Sequence, residues 1–91
     1  MTTLEYTLRP DVVFTVLDQG ESVLLKLDTK YYYSLNQTGT RIVQLLEEGL
    51  NRARIMATLE AEYDVAPEQL DRMLSRFFDH LLRDGIIDAR S

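Results

Sequence analysis

The chain has 91 residues, a formal net charge of −5 at pH 7 and no cysteine. This length suits one small domain with a single core, and we predict one domain over residues 1–91 with an ordered core of about 10–88. The absence of cysteine excludes a disulfide framework and a thiolate metal site. The chain has no basic patch of the kind that neutralises phosphates, so we expect no nucleic-acid partner.

Membrane insertion and catalysis are also not expected. No stretch approaches the roughly twenty apolar residues that span a bilayer, and the N-terminus lacks the pattern of a secretion signal. We therefore expect a soluble, cytoplasmic protein with no membrane partner. The single histidine, His80, has no second histidine nearby, which argues against a metal site or cofactor. Without a phosphate loop or nucleophile motif, we expect no enzymatic activity.

Three short β-strands are predicted before the helices. Val12–Leu17 and Val23–Leu27 are rich in β-preferring residues, and Asp18–Ser22 between them contains the glycine and aspartate of a hairpin loop. Asp28–Lys30 forms a second tight connection into a strand that starts with three consecutive tyrosines, Tyr31–Tyr33. This order predicts an antiparallel meander.

Alternation of side chains assigns the strand residues to the two faces of this sheet. In the second strand, one face holds the alternate aliphatic residues Val23, Leu25 and Leu27. In the third strand, Tyr31, Tyr33 and Leu35 share a face, whereas Lys30 and Tyr32 point the other way. We expect one face of the sheet to be dry.

From Asn36 onward the apolar residues follow the period of about 3.6 residues that is typical of helices. The first helix is predicted to begin at the N-cap Asn36 and to end at Gly49. A second begins near Asn51. A third opens at Pro67, which suits the first turn of a helix, and ends at Gly85. The apolar arc of this third helix is broad: Leu70, Met73, Leu74, Phe77, Phe78, Leu81 and Leu82.

The predicted fold is α+β and winged-helix-like, with a three-stranded antiparallel sheet followed by three helices. The tyrosine strand comes last in the meander, so its unpaired backbone groups are available to another chain. Peptide binding by β-strand addition is therefore the first functional hypothesis. The same edge also permits self-association, and we predict a monomer or a weak or swapped dimer.

Several motifs in this order resemble one family. The most specific is the aromatic–x–Leu–Asn–x–Thr–Gly junction of residues 33–39, and Leu45–Gly49, Tyr63–Val65 and Asp84–Ile87 follow it. The chain resembles the PqqD-like family, the RiPP recognition elements, which bind leader peptides of ribosomally made, modified natural products. It is most like the discrete leader-peptide-binding proteins of lasso-peptide biosynthesis.

The resemblance implies that a precursor leader peptide adds to the third strand, lies in a cleft against the third helix, and is presented to a leader peptidase or other maturation enzyme. Asp71 or Asp79 is expected to pair with a basic leader residue. The peptide-binding residues assigned in this way are Lys30, Tyr31, Tyr32, Tyr33, Ser34, Asp71, Met73, Leu74, Arg76, Phe77 and His80.

Ordinary packing competes with binding as the interpretation of several of these residues. Tyr33 and Leu35 fit the core equally well, and at least one of Phe77 and Phe78 is expected to be structural. His80 is expected at the cleft rim. The alternative functions are a peptide chaperone for a radical SAM enzyme in cofactor biosynthesis, and a winged-helix DNA-binding regulator. The mixed charges of the third helix argue against the regulator.

Overall fold

The structure, a computed structural model, describes residues 5–90. Its elements in chain order are β1 (Glu5–Leu8), β2 (Val12–Val16), β3 (Ser22–Lys26), β4 (Tyr31–Leu35), α1 (Gln37–Glu47), α2 (Arg52–Glu62), α3 (Pro67–Arg83) and β5 (Ile87–Arg90). The predicted three-stranded sheet followed by three helices is confirmed, although winged-helix-like describes it only loosely. None of the helices in residues 5–90 combines the length and the apolar composition that a membrane crossing requires.

The main sheet has the strand order β2–β3–β4, so β4 is an edge strand of this sheet. Both strand pairs are antiparallel, with Leu24 of β3 opposite Phe14 on one side and Tyr33 on the other. The connection into β4 ends at Lys30, which has a positive φ of 64°. Its N–H donates to the carbonyl of Lys26 at 2.8 Å, which closes the turn.

A second, two-stranded sheet joins the two ends of the described chain, and it was not predicted. β1 and β5 are antiparallel, with Tyr6 opposite Ala89 and Leu8 opposite Ile87. The Tyr6 ring stacks on Phe78, with centroids 4.5 Å apart and an interplanar angle of 3°. β1 starts at Glu5 and β5 ends at Arg90, so this sheet lies partly outside the span of about 10–88 predicted for the ordered core. Each strand has only four residues, too few to show alternation, and its partner lies at the far end of the sequence.

The buried face of β3 is not the face that carries Val23, Leu25 and Leu27. Leu24 is 0% exposed, whereas Leu27 is 41% exposed, so the face of Val23, Leu25 and Leu27 is the outer one. Two residues on the inner face are polar, so the sequence pattern does not identify this face as the buried one. The Ser22 hydroxyl lies 2.6 Å from that of Thr40 in a buried hydrogen bond. Lys26 extends its ammonium to the carbonyl of Gly85 at 3.2 Å and to Asp11 at 3.1 Å.

The predicted helix starts are confirmed. The side chain of Asn36 accepts a hydrogen bond from the N–H of Gly39 at 2.8 Å, and Asn51 caps α2 in the same way. Pro67 is the first residue of α3. The helices, β5 and the residue just before β5 supply most of the buried core: Ile42, Val43, Leu45, Leu46, Ile55, Leu59, Leu70, Leu74, Phe78, Leu81, Ile86 and Ile87.

Candidate functional site

A groove runs between the edge of β4 and the exposed side of α3. Its central cavity, about 310 Å³, is lined by residues from β4, α1 and α3: Ser34, Leu35, Asn36, Thr38, Gly39, Ile42, Met73 and Phe77. Met73 and Phe77 also line a cavity of about 630 Å³ along α3, with Val65, Gln69, Arg72, Arg76 and His80. Because the two cavities share these residues, they form one continuous groove.

The main chain of Tyr32 and Ser34 points toward the open edge of the sheet. Just beyond β3, the N–H of Leu27 donates to the carbonyl of Asp11 at 2.8 Å, so odd-numbered residues of this strand bond to β2. Main-chain groups alternate in direction along an antiparallel strand, so the even-numbered residues of β3 bond to β4. Their partners in β4 are Tyr31, Tyr33 and Leu35. The N–H and C=O groups of Tyr32 and Ser34 are therefore free for another strand.

The tyrosine side chains of β4 take different environments. Tyr33 is partly buried and packs against the core, and burial raises the pKa of its hydroxyl, with a further contribution from the Asp84 carboxylate. Tyr31 shares its face but is 66% exposed, and Tyr32 on the outer face is 69% exposed. The Lys30 N–H already bonds within the turn, so it is not free to bond to a peptide.

The α3 residues predicted to bind peptide do not all lie in the groove. Met73, Arg76, Phe77 and His80 line the groove. Leu74 is a correction: it is 0% exposed and belongs to the core, because it lies on the buried stripe one turn after Leu70. A wrong choice of this kind is expected when only a helical wheel sets the orientation of a helix.

Asp71, also predicted to bind peptide, is paired within the chain. Its carboxylate lies 3.0 Å from a guanidinium nitrogen of Arg52, and the same nitrogen donates to the Asp71 carbonyl at 3.1 Å. This places Asp71 on the side of α3 that contacts α2, away from the groove. Asp79 is exposed and is also absent from the groove lining. Neither aspartate lines the groove, and Asp71 is already paired within the chain.

The groove also contains residues that the sequence analysis did not assign to peptide binding, and helical spacing could have identified some of them. Gln69 and Arg72 lie one turn before Met73 and Arg76, so helical spacing alone places them on the same wall. Leu35 and Asn36 were assigned only to packing and capping, yet both line the groove. Among the side chains that the structure describes, those of residues 6–89, no three His, Asp or Glu groups are placed to hold a metal ion.

An open sheet edge beside a groove is the architecture of modules that bind extended peptides. The chain belongs to the PqqD family, since the family described as Coenzyme PQQ synthesis protein D (PqqD) matches residues 21–87. The family resemblance inferred from the sequence is thereby confirmed. No curated protein matches the chain.

Two solved structures are similar to this chain over nine-tenths or more of its length. One is TbiB1 in complex with the TbiA(beta) leader peptide, which is 34% identical with a TM-score of 0.85, over 90% of this chain and 94% of that chain. The other is lasso peptide synthetase B1 complexed with the leader peptide, which is 31% identical with a TM-score of 0.83, over 92% of this chain and 98% of that chain.

Proposed function

We propose that this chain binds the leader region of a ribosomally synthesised precursor peptide by β-strand addition to β4. It then presents the peptide to a leader peptidase or another maturation enzyme of the lasso-peptide type. The observation that carries this proposal is the free main chain of Tyr32 and Ser34 beside the groove. Support also comes from the two similar structures, both of which are complexes with leader peptides.

Backbone and side chains of the groove have different roles in this binding. The N–H and C=O groups of Tyr32 and Ser34 hydrogen-bond to any extended chain, so they contribute affinity without sequence selection. Selection comes from the side chains of the peptide, which alternate between two faces. One set packs on Met73 and Phe77, which line the central cavity opposite β4.

The chain acts in this proposal by tethering. Holding the leader beside a partner enzyme makes the encounter of enzyme and core peptide nearly intramolecular and raises the effective concentration of the substrate. The chemistry belongs to the partner, and the chain itself has no catalytic role. We place this step in the cytoplasm, where ribosomal precursor peptides are made.

A direct titration tests the proposal. A fluorescein-labelled synthetic leader, taken from the precursor gene next to the gene of this protein, is titrated with the full chain and followed by fluorescence anisotropy. We expect saturable binding with a Kd in the sub-micromolar to micromolar range, and no binding of a scrambled peptide of the same composition. Absence of binding to every leader encoded nearby would overturn the proposal.

The family match also favours a second candidate, a peptide chaperone in cofactor biosynthesis that serves a radical SAM enzyme. The strand-addition mechanism is the same in both cases, and only the peptide and the partner enzyme differ. Titration of a precursor peptide encoded beside a radical SAM enzyme separates the two candidates, because selective binding of that peptide would favour the second.

A further inference from the structure

We infer that the α3 wall of the groove selects a leader peptide that carries an acidic side chain next to an apolar anchor residue. The inference rests on the proposed function and specifies the chemistry of the peptide. It reverses the charge expected from the sequence, because Asp71 is already paired with Arg52.

The side chains of α3 form successive stripes from the core to the groove rim. Leu74 and Phe78 are fully buried. Next to them lie Phe77, which packs partly buried against the core, and Met73, which is 36% exposed. One turn apart, these two side chains form the apolar floor of the groove. Helical geometry places Arg72 and Arg76 one stripe farther from the core, and both line the same cavity of about 630 Å³. The wall is therefore apolar at depth and cationic at the rim.

Arg72 and Arg76 are not neutralised within the described part of the chain. No side chain described in residues 5–90 forms an ion pair with either of them. By contrast, Arg9, Arg41 and Arg52 each pair with a carboxylate. The sequence has 15 acidic residues against 10 lysines and arginines, so carboxylates are in excess. Two neighbouring arginines facing one cavity without a carboxylate leave room for an anion from outside.

An acidic residue of an extended leader fits this wall. When one side chain of the peptide packs on the apolar floor, the next points away from it, toward the rim. A carboxylate at the rim accepts charge-assisted hydrogen bonds from the guanidinium groups, whose planar geometry matches it. His80 is less available for this role, since its Nε2 lies 3.2 Å from a carboxylate oxygen of Asp84.

A charge reversal with a matched control tests the inference. Arg76→Glu should weaken binding of the labelled leader about tenfold at low salt, through a lost pair and a new repulsion. The difference should shrink as salt is added. Arg54→Glu is the control. It makes the same charge change at an exposed position on α2 outside the groove, and it should leave affinity unchanged.

Leader variants complete the test. Replacing the acidic leader residue by lysine should weaken binding to the wild-type chain and restore binding to Arg76→Glu. The inference is overturned if Arg76→Glu binds as well as Arg54→Glu, or if a leader without any acidic residue binds with full affinity. One combination of results separates the two proposals: the wild type binds the leader, Tyr32→Pro does not, and Arg76→Glu binds as tightly as the wild type. In that case strand addition stands and charge selection fails. If the wild type does not bind the leader, both fail.

Discussion

Replacement of Tyr32 by proline isolates the contribution of the β4 edge to leader binding. Proline removes the Tyr32 N–H, which is not used in the β3–β4 ladder, and edge strands tolerate proline where the amide faces away from the sheet. Loss of one hydrogen bond costs about 0.5–1.5 kcal/mol, which is a factor of about two to ten in Kd. The pyrrolidine ring also obstructs the incoming strand, so we expect affinity to fall more than about tenfold.

The matching control is Tyr32→Ala, which keeps the amide. The Tyr32 side chain is exposed on the outer face of the sheet, so this variant should bind the labelled leader nearly as tightly as the wild type. Ser34→Pro should repeat the loss seen with Tyr32→Pro. Anisotropy titration measures the affinities, and circular dichroism with thermal melting establishes that each variant is folded. Wild-type affinity in a folded Tyr32→Pro variant would refute strand addition at this edge.

Three further predictions concern packing and charge. Phe77→Ala should weaken leader binding with a modest loss of stability because Phe77 is partly buried, whereas Phe78→Ala should destabilise the fold by about 3–5 kcal/mol. A large drop in Tm with normal affinity for Phe77→Ala would place Phe77 in the core instead. Thr40→Val removes the hydroxyl that bonds to Ser22, so the buried Ser22 hydroxyl loses its hydrogen-bond partner. The free energy of unfolding, measured in urea, should fall by about 1–3 kcal/mol. An unchanged midpoint of the urea transition would contradict this. The hydrogen bond from Lys26 holds the pKa of Asp11 below its ordinary value of 3.8. The stabilisation from this carboxylate is therefore complete above that value and is lost as the pH falls through the lowered pKa. Asp11→Asn should lose stability at neutral pH and show a weaker acid dependence, and an identical pH profile in the two proteins would speak against the pair.

The sequence predicted the elements whose signals are local. Asn36 and Asn51 are side-chain caps, Pro67 opens α3, and the tyrosine strand follows two strands of clear β composition. Each signal lies within a few residues of the boundary that it determines. The groove could be anticipated because β4 and α3 were both recognised and the family resemblance placed them side by side.

The features that the sequence did not predict depend on tertiary contacts. The pairing of β1 with β5 joins the two chain ends, and four-residue strands give no usable period. The inner face of β3 was missed because Ser22 and Lys26 are polar, and both find hydrogen-bond partners only in the folded chain. The place of Leu74 in the core depends on the rotation of α3 about its axis, which the packing of the whole domain sets.

Amide hydrogen exchange with and without the leader tests the central claim most directly. In the free protein, the amides of Tyr32 and Ser34 should exchange quickly, whereas that of Tyr33, which bonds to β3, should be protected. Addition of saturating leader should slow exchange at Tyr32 and Ser34, since a new strand then accepts their hydrogen bonds. Unchanged exchange at both residues in the fully bound protein would contradict strand addition to β4.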